Sequence, residues 1–157
     1  KKAAFTSAYC NYLDSPRSSL DQTSTFTALK ELQNYIDMYP NDDKVEEATR
    51  LMDELRDKLE IKDYDIAKLY YYMDSYQAAI TSFENILEDY PDTDYQEDIL
   101  YYITKAYYKY AEKSIYTKQK DRYEKTVEAY NNLMQLYPES KYLKEVENIS
   151  DNARKNL

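Results

Sequence analysis

Three runs of residues at helical spacing, apolar but for one threonine, end in the same dipeptide. Ala28, Leu32 and Ile36 lead to Tyr39-Pro40. Ala79, Phe83 and Leu87 lead to Tyr90-Pro91, and Thr126, Tyr130 and Met134 lead to Tyr137-Pro138. In every run the residues stand at the same distances before the tyrosine, so the phrase is a repeat. Residues four apart fall on one face of a helix, and proline blocks the next turn. A helical repeat cannot bury its apolar face alone and must stack on its neighbours. The pattern therefore predicts an all-α chain, a short solenoid of antiparallel helix pairs.

The remaining elements follow from the same periodicity. Ala3 to Leu13 reads as the second helix of an incomplete first repeat, residues 1–13, and breaks at Asp14-Ser15-Pro16. That opening on half a repeat is expected of a stretch cut from a longer protein. A polar loop leads to a helix from about Gln22 to Tyr39. Val45, Ala48, Leu51, Met52, Leu55 and Leu59 mark the next, to Glu60. Asp43 with Glu46, and Asp94 with Glu97, have the spacing of capping boxes. Ile66, Ala67 and Tyr70 mark a helix from Asp63 that turns at Met73-Asp74-Ser75, and Tyr76 to Tyr90 form its partner. A helix from Tyr95 to Glu112 is followed by a polar stretch, Lys113 to Lys120. Helices carrying Tyr123 to Tyr137 and Tyr142 to Ala153 close the chain. The repeats are placed at about 22–60, 63–112 and 119–157, in one domain spanning 1–157. The intervals between Tyr-Pro pairs exceed a plain 34-residue helical-pair period, which leaves room for insertions.

Composition narrows the chemistry. The 157 residues include no glycine, no histidine and no tryptophan. Without glycine there is no phosphate-cradling loop. Without histidine the usual general base and zinc ligand are missing. The acidic pairs stand at helix-surface spacings, where a solvated face is the ordinary explanation. No catalysis, metal or cofactor is expected. The lone cysteine, Cys10, has no internal partner for a disulfide and is expected to be a small core residue. No apolar run is long enough to cross a bilayer.

The stretch Tyr70 to Pro91 resembles a tetratricopeptide repeat, with Ala67 at the small position and Tyr70, Tyr76, Ala79, Phe83 and Pro91 at other signature positions. A narrower likeness covers nearly the whole chain. Ala48 to Leu59, Tyr64-Asp65-Ile66-Ala67-Lys68-Leu69-Tyr70-Tyr71, Tyr76-Gln77-Ala78-Ala79-Ile80 and Tyr90-Pro91-Asp92-Thr93-Asp94-Tyr95 are similar to the BamD family. So are Lys118 to Tyr123 and Tyr137 to Leu143. The resemblance implies a tetratricopeptide lipoprotein on the periplasmic face of the bacterial outer membrane. Its members are made with a lipidated cysteine and have about five repeats. It implies a non-catalytic scaffold that docks other β-barrel assembly subunits and helps deliver unfolded outer-membrane proteins. The family docks the periplasmic domains of its barrel subunit mainly through C-terminal repeats, here about Tyr95 to Leu157. Two other readings are a glycan-binding lipoprotein of the SusD type and another periplasmic tetratricopeptide adaptor, such as the Tol–Pal coordinator. Against the first stand the chain's length and its lack of tryptophan.

Charge then selects candidate residues. The formal net charge is −9. Residues 41–100 are strongly acidic. Residues 101–125 carry seven bases against three acids, Glu112, Asp121 and Glu124. Lys105, Lys109, Lys113, Lys118, Lys120 and Arg122 are therefore expected on a docking edge for an acidic partner surface. The alternative for this stretch is a solvated face. An acidic chain repels phosphate, so nucleic acid is not an expected partner. There are 21 tyrosines. Consecutive helical residues lie about 100° apart, so Tyr70-Tyr71-Tyr72 and Tyr107-Tyr108 cannot all face the core. Tyr101 and Tyr108 are expected at the interface and Tyr71 in the groove, with Tyr76, Tyr90, Tyr123 and Tyr137 in the core.

Overall fold

The computed structural model describes residues 1–157 and is all-α. Its helices are α1 (Lys2–Asp14), α2 (Thr23–Met38), α3 (Val45–Tyr72), α4 (Tyr76–Asp89), α5 (Gln96–Glu112), α6 (Tyr116–Leu136) and α7 (Leu143–Arg154). They pack in sequential pairs of the tetratricopeptide kind, α1 with α2, α4 with α5, α5 with α6 and α6 with α7. The chain forms two compact units, residues 1–62 and 63–157. The two helices expected at Val45–Glu60 and from Asp63 are one continuous helix of 28 residues. The junction Glu60-Ile61-Lys62-Asp63 contains no proline or glycine, so nothing ends the helix there.

The three Tyr-Pro phrases fold alike. Each tyrosine is the C-cap of its helix, with φ/ψ of −132/59 at Tyr39, −128/72 at Tyr90 and −134/70 at Tyr137. The residue three further on donates its amide back to the tyrosine carbonyl, from Asp42, Thr93 and Ser140 at 3.0–3.1 Å. The side chains of those same residues accept the amide two positions later. The bonds are Lys44 N–H to Asp42 Oδ1 at 3.0 Å, Tyr95 N–H to Thr93 Oγ1 at 3.1 Å and Tyr142 N–H to Ser140 Oγ at 3.1 Å. This corrects the two expected capping boxes. The amide acceptor is Asp42 in place of Asp43, and Thr93 in place of Asp94. Glu97 instead accepts from Ser140 Oγ (2.7 Å) and the Lys141 amide (3.2 Å), tying the start of α5 to the α6–α7 turn. Short oxygen-bearing side chains are suited to such local turns.

In unit 1 the core is Ala8, Ala28, Leu32, Tyr35, Ala48, Leu51 and Leu55. Ala8 is the buried position of α1, and Cys10 lies two residues on, across the helix. Cys10 is therefore exposed, contrary to the expected core placement. The loop after α1 is tied by Gln22, whose amide donates to the carbonyls of Arg17 and Leu20 at 2.8 Å each.

In unit 2 the main core joins Ala67, Tyr71, Tyr76, Ala79, Ile80, Phe83, Ile86, Ile99, Ile103 and Ala106. Ala67 and Ala79 are both fully buried in this cluster. The turn between α3 and α4 has Asp74 at φ 62. Ser75 donates its amide to the Tyr70 carbonyl and Asp74 to that of Tyr71. These bonds make a Schellman C-cap, in which aspartate serves where a glycine would be usual. The polar stretch expected over Lys113 to Lys120 shortens to three residues, because α6 already begins at Tyr116. Arg122 and the Ser114 hydroxyl brace that short loop, as described next.

Candidate docking surface

Tyrosines and lysines of unit 2 separate into two settings. The first is an interior layer made by α3, α5 and α7. Tyr101 stacks on Tyr142 with ring centres 3.7 Å apart. Tyr102 stacks on Phe83 at 5.3 Å and meets Tyr71 edge-on at 5.5 Å. Lys105 sits among them, 5.4 Å from the Tyr71 ring centre and 4.8 Å from that of Tyr101. Its ammonium donates to Tyr101 Oη at 3.0 Å and pairs with Glu145 at 3.4 Å. Tyr101 Oη donates in turn to Glu145 at 2.5 Å. Burial works against charge on Lys105. The Tyr101 hydrogen bond, the neighbouring phenols and Glu145 outweigh it, so the lysine's pKa stands above its ordinary value. Burial likewise raises the pKa of Tyr71 and Tyr101. Each of these cations and hydroxyls is satisfied internally.

That layer corrects the interface expectation for Tyr101 and the groove expectation for Tyr71. Both are only 8% exposed, and their rings are occupied by neighbours. Lys105 is held in the same layer and does not project from an edge. Tyr108 is half-buried, tilted against Tyr123 at 5.9 Å beside Ala111 and Ala153. Tyr76 and Tyr123 are core residues as expected, and Tyr90 and Tyr137 pack against the cores.

The second setting is the α5–α6 tip. Ser114 Oγ donates to the Tyr110 carbonyl and accepts from the Arg122 guanidinium. That guanidinium lies 3.8 Å from the centre of the Tyr110 ring, a close cation–π stack. Lys113 reaches Asp74 at 3.2 Å and lies 5.2 Å from the Tyr76 ring centre. These groups line a 430 Å³ cavity beside the start of α4. Lys109 pairs loosely with Glu112 at 3.7 Å. Lys118 and Lys120 are exposed and make no ion pair. The structure thus brings Lys113, Lys118, Lys120 and Arg122 to one end of the α5–α6 pair, with Lys109 one turn back on α5. It withdraws Tyr71, Tyr101 and Lys105 from that set.

The family model described as an outer membrane lipoprotein, YfiO, matches residues 3–122. The chain belongs to that family. This agrees with the likeness to BamD in the phrases quoted above, and it covers the first five helices and the start of α6. Membership in the YfiO family assigns an outer membrane lipoprotein role in coarse terms. No helix is long and apolar enough to cross a membrane.

Exposed apolar side chains lie at two places outside the expected docking set. Ile115 and Tyr116 at the tip are 70% and 89% exposed, the highest values among the large apolar residues. Leu69, Tyr72 and Met73, near the end of α3, are 56%, 67% and 63% exposed. The signal for the tip was present in the sequence. Isoleucine and tyrosine interrupt a run of lysines where a turn would ordinarily carry serine, asparagine or aspartate.

Proposed function

We propose that this YfiO-family chain is a non-catalytic scaffold of outer-membrane β-barrel protein assembly. It docks other assembly subunits on the periplasmic side, attached through the lipid that gives the family its description. Its partners are protein, namely the periplasmic domains of the barrel subunit and unfolded outer-membrane proteins in transit. Family membership supports the process. The basic α5–α6 edge supports the docking role, and one observation carries it. In an acidic chain, Lys118 and Lys120 stand exposed with no acid of their own, beside an Arg122 fixed on Tyr110. Complementary charge sets encounter rate and register between proteins. Lys109 and Lys113 extend this edge, and Tyr108 lies behind it.

Reversing Lys113, Lys118 and Lys120 to Glu should slow association with the barrel subunit's periplasmic domains. The defect should shrink as salt rises, because exposed charges are screened over about 10 Å at 0.1 M ionic strength. Association kinetics at two ionic strengths measure it, with reversal of the exposed acids Asp43, Asp53 and Asp57 as the control. Wild-type association by the lysine variant at low salt would refute the docking edge.

A further inference from the structure

We propose that Ile115 and Tyr116 are the anchor of this edge, an apolar plug that enters a protein partner's pocket with an apolar floor and a carboxylate rim. The inference rests on the docking reading above and gives the partner surface its chemistry.

Local stability does not explain these two residues. Ile115 occupies the N-cap of α6, with extended backbone (φ −63, ψ 151) and no side-chain cap. Serine, threonine, asparagine and aspartate are favoured at that position because they bond a free amide, and isoleucine is among the poorest choices. Tyr116, at the first helical position, is 89% exposed and packs on nothing that would reward it. A local rule broken without a compensating internal contact is the mark of a functional position.

The plug is also held ready. Three residues connect α5 to α6, and the Ser114 hydroxyl, the Tyr110 carbonyl and Arg122 lock their path. The Lys118 amide donates to the Ile115 carbonyl at 2.9 Å, closing the first turn beneath the plug. A side chain presented from fixed backbone loses less freedom on binding. Tyrosine and arginine are enriched among residues that carry interface energy, set in apolar pockets with polar rims. The surroundings fix the sign of the rim. Lys113, Lys118, Lys120 and Arg122 lie within seven residues of the plug. Asp121 is the one acid on the same first turns of α6, and Glu112 and Asp74 are engaged with Lys109 and Lys113, which leaves Lys118 and Lys120 as the unpaired charges.

A bilayer surface is the competing occupant, since tyrosine, isoleucine and lysine also suit anionic headgroups. Two apolar side chains bury little area there, whereas a protein pocket can enclose both. The protein pocket is favoured for that reason.

The test compares wild type, Ile115→Ser with Tyr116→Ser, and Lys118→Glu with Lys120→Glu, each on the barrel subunit's periplasmic domains. The plug variant should dissociate at least about ten-fold faster with association within about three-fold, since anchors act mainly on dissociation. The lysine variant should show the reverse split. Serine improves the N-cap, so the plug variant should melt no lower than wild type, and lost binding cannot be ascribed to unfolding. Wild-type dissociation by the plug variant overturns the anchor and leaves the docking edge standing. Failure of the wild type to bind overturns both. Binding of wild type, but not of the plug variant, to phosphatidylethanolamine–phosphatidylglycerol vesicles, with no plug effect on the protein partner, overturns the anchor in favour of the membrane.

Discussion

The interior layer around Lys105 and the α5–α6 tip are built from the same residue types, lysine and tyrosine, yet they do opposite things. Lys105 meets Tyr101, Glu145 and two ring faces, all from its own chain. Lys118 and Lys120 meet no carboxylate, and Tyr116 beside them is almost fully exposed. A lysine with partners on three helices organises the fold. A lysine without partners, on the first turns of a helix entered from a braced loop, is free for another molecule. What distinguishes the two is the supply of acceptors within the chain, and residue type carries no trace of it.

The largest effect expected from breaking the interior layer comes from Phe83, fully buried and stacked on Tyr102. Phe83→Ala should cost about 3–5 kcal/mol in denaturant melts, the range for emptying an aromatic core site. A loss below about 1 kcal/mol would show that the layer is not a packed core.

Lys105→Met should cost about 1–3 kcal/mol, because it keeps the stem but leaves Tyr101 and Glu145 without their cation. Lys120→Met is the matched control, and surface changes away from special contacts usually stay within about 0.5 kcal/mol. Equal melting of the two variants would erase the distinction between the regions.

A pH titration sharpens the comparison from the side of the tyrosines. Burial, aided by the Asp74 hydrogen bond, pushes Tyr76 up to about 12, and burial with Glu84 nearby pushes Tyr107 up to about 12. Burial also raises Tyr71, Tyr101 and Tyr123 above the ordinary value. A raised folded pKa means that the folded chain holds the proton more tightly than the unfolded one. The associated stability is therefore complete below about pH 10 and is lost as pH climbs from 10 through 12. Urea melts from pH 9 to 12 should show that fall, and Tyr76→Phe should flatten it. A level curve over that range would mean that the phenols titrate as freely in the fold as in the unfolded chain.

Much of the fold could be read from periodicity, because it depends on local spacing. The three Tyr-Pro phrases mark three helix ends, and helical spacing puts Ala67, Ala79 and Phe83 on buried faces. The misplaced features depend on what stands opposite a residue. Cys10 fell outside the core because Ala8, two positions away, took the buried face of α1. Tyr101 and Lys105 left the candidate surface because α7 brings Glu145 and Tyr142 across 40 or more residues of sequence. The apolar stripes of Val45–Leu59 and Ile66–Tyr70 read as two helices, although no residue between them could break one. For Ile115 and Tyr116 the signal is present in the sequence but weak. Two apolar residues in a polar run look incidental until their N-cap position and exposure are known.

The smallest expected effect is the one that separates a docking edge from a structural one. Lys118→Glu with Lys120→Glu should leave helicity by circular dichroism unchanged and shift stability by no more than about 0.5 kcal/mol for each residue. Neither lysine has an internal acid to lose, and neither covers the core. The new carboxylates do meet Asp121 and Glu124 at helical spacing, where like charges disfavour a helix by only about 0.2–0.5 kcal/mol per pair. They also stand in the first turns of α6, where negative charge is favoured by the helix dipole and offsets part of that repulsion. The two small terms oppose each other, so melting should barely move even at low salt. A loss approaching that of Lys105→Met would mean that the tip is held together by contacts of its own cations. The α5–α6 edge would then be a second structural layer, with nothing to spare for a partner.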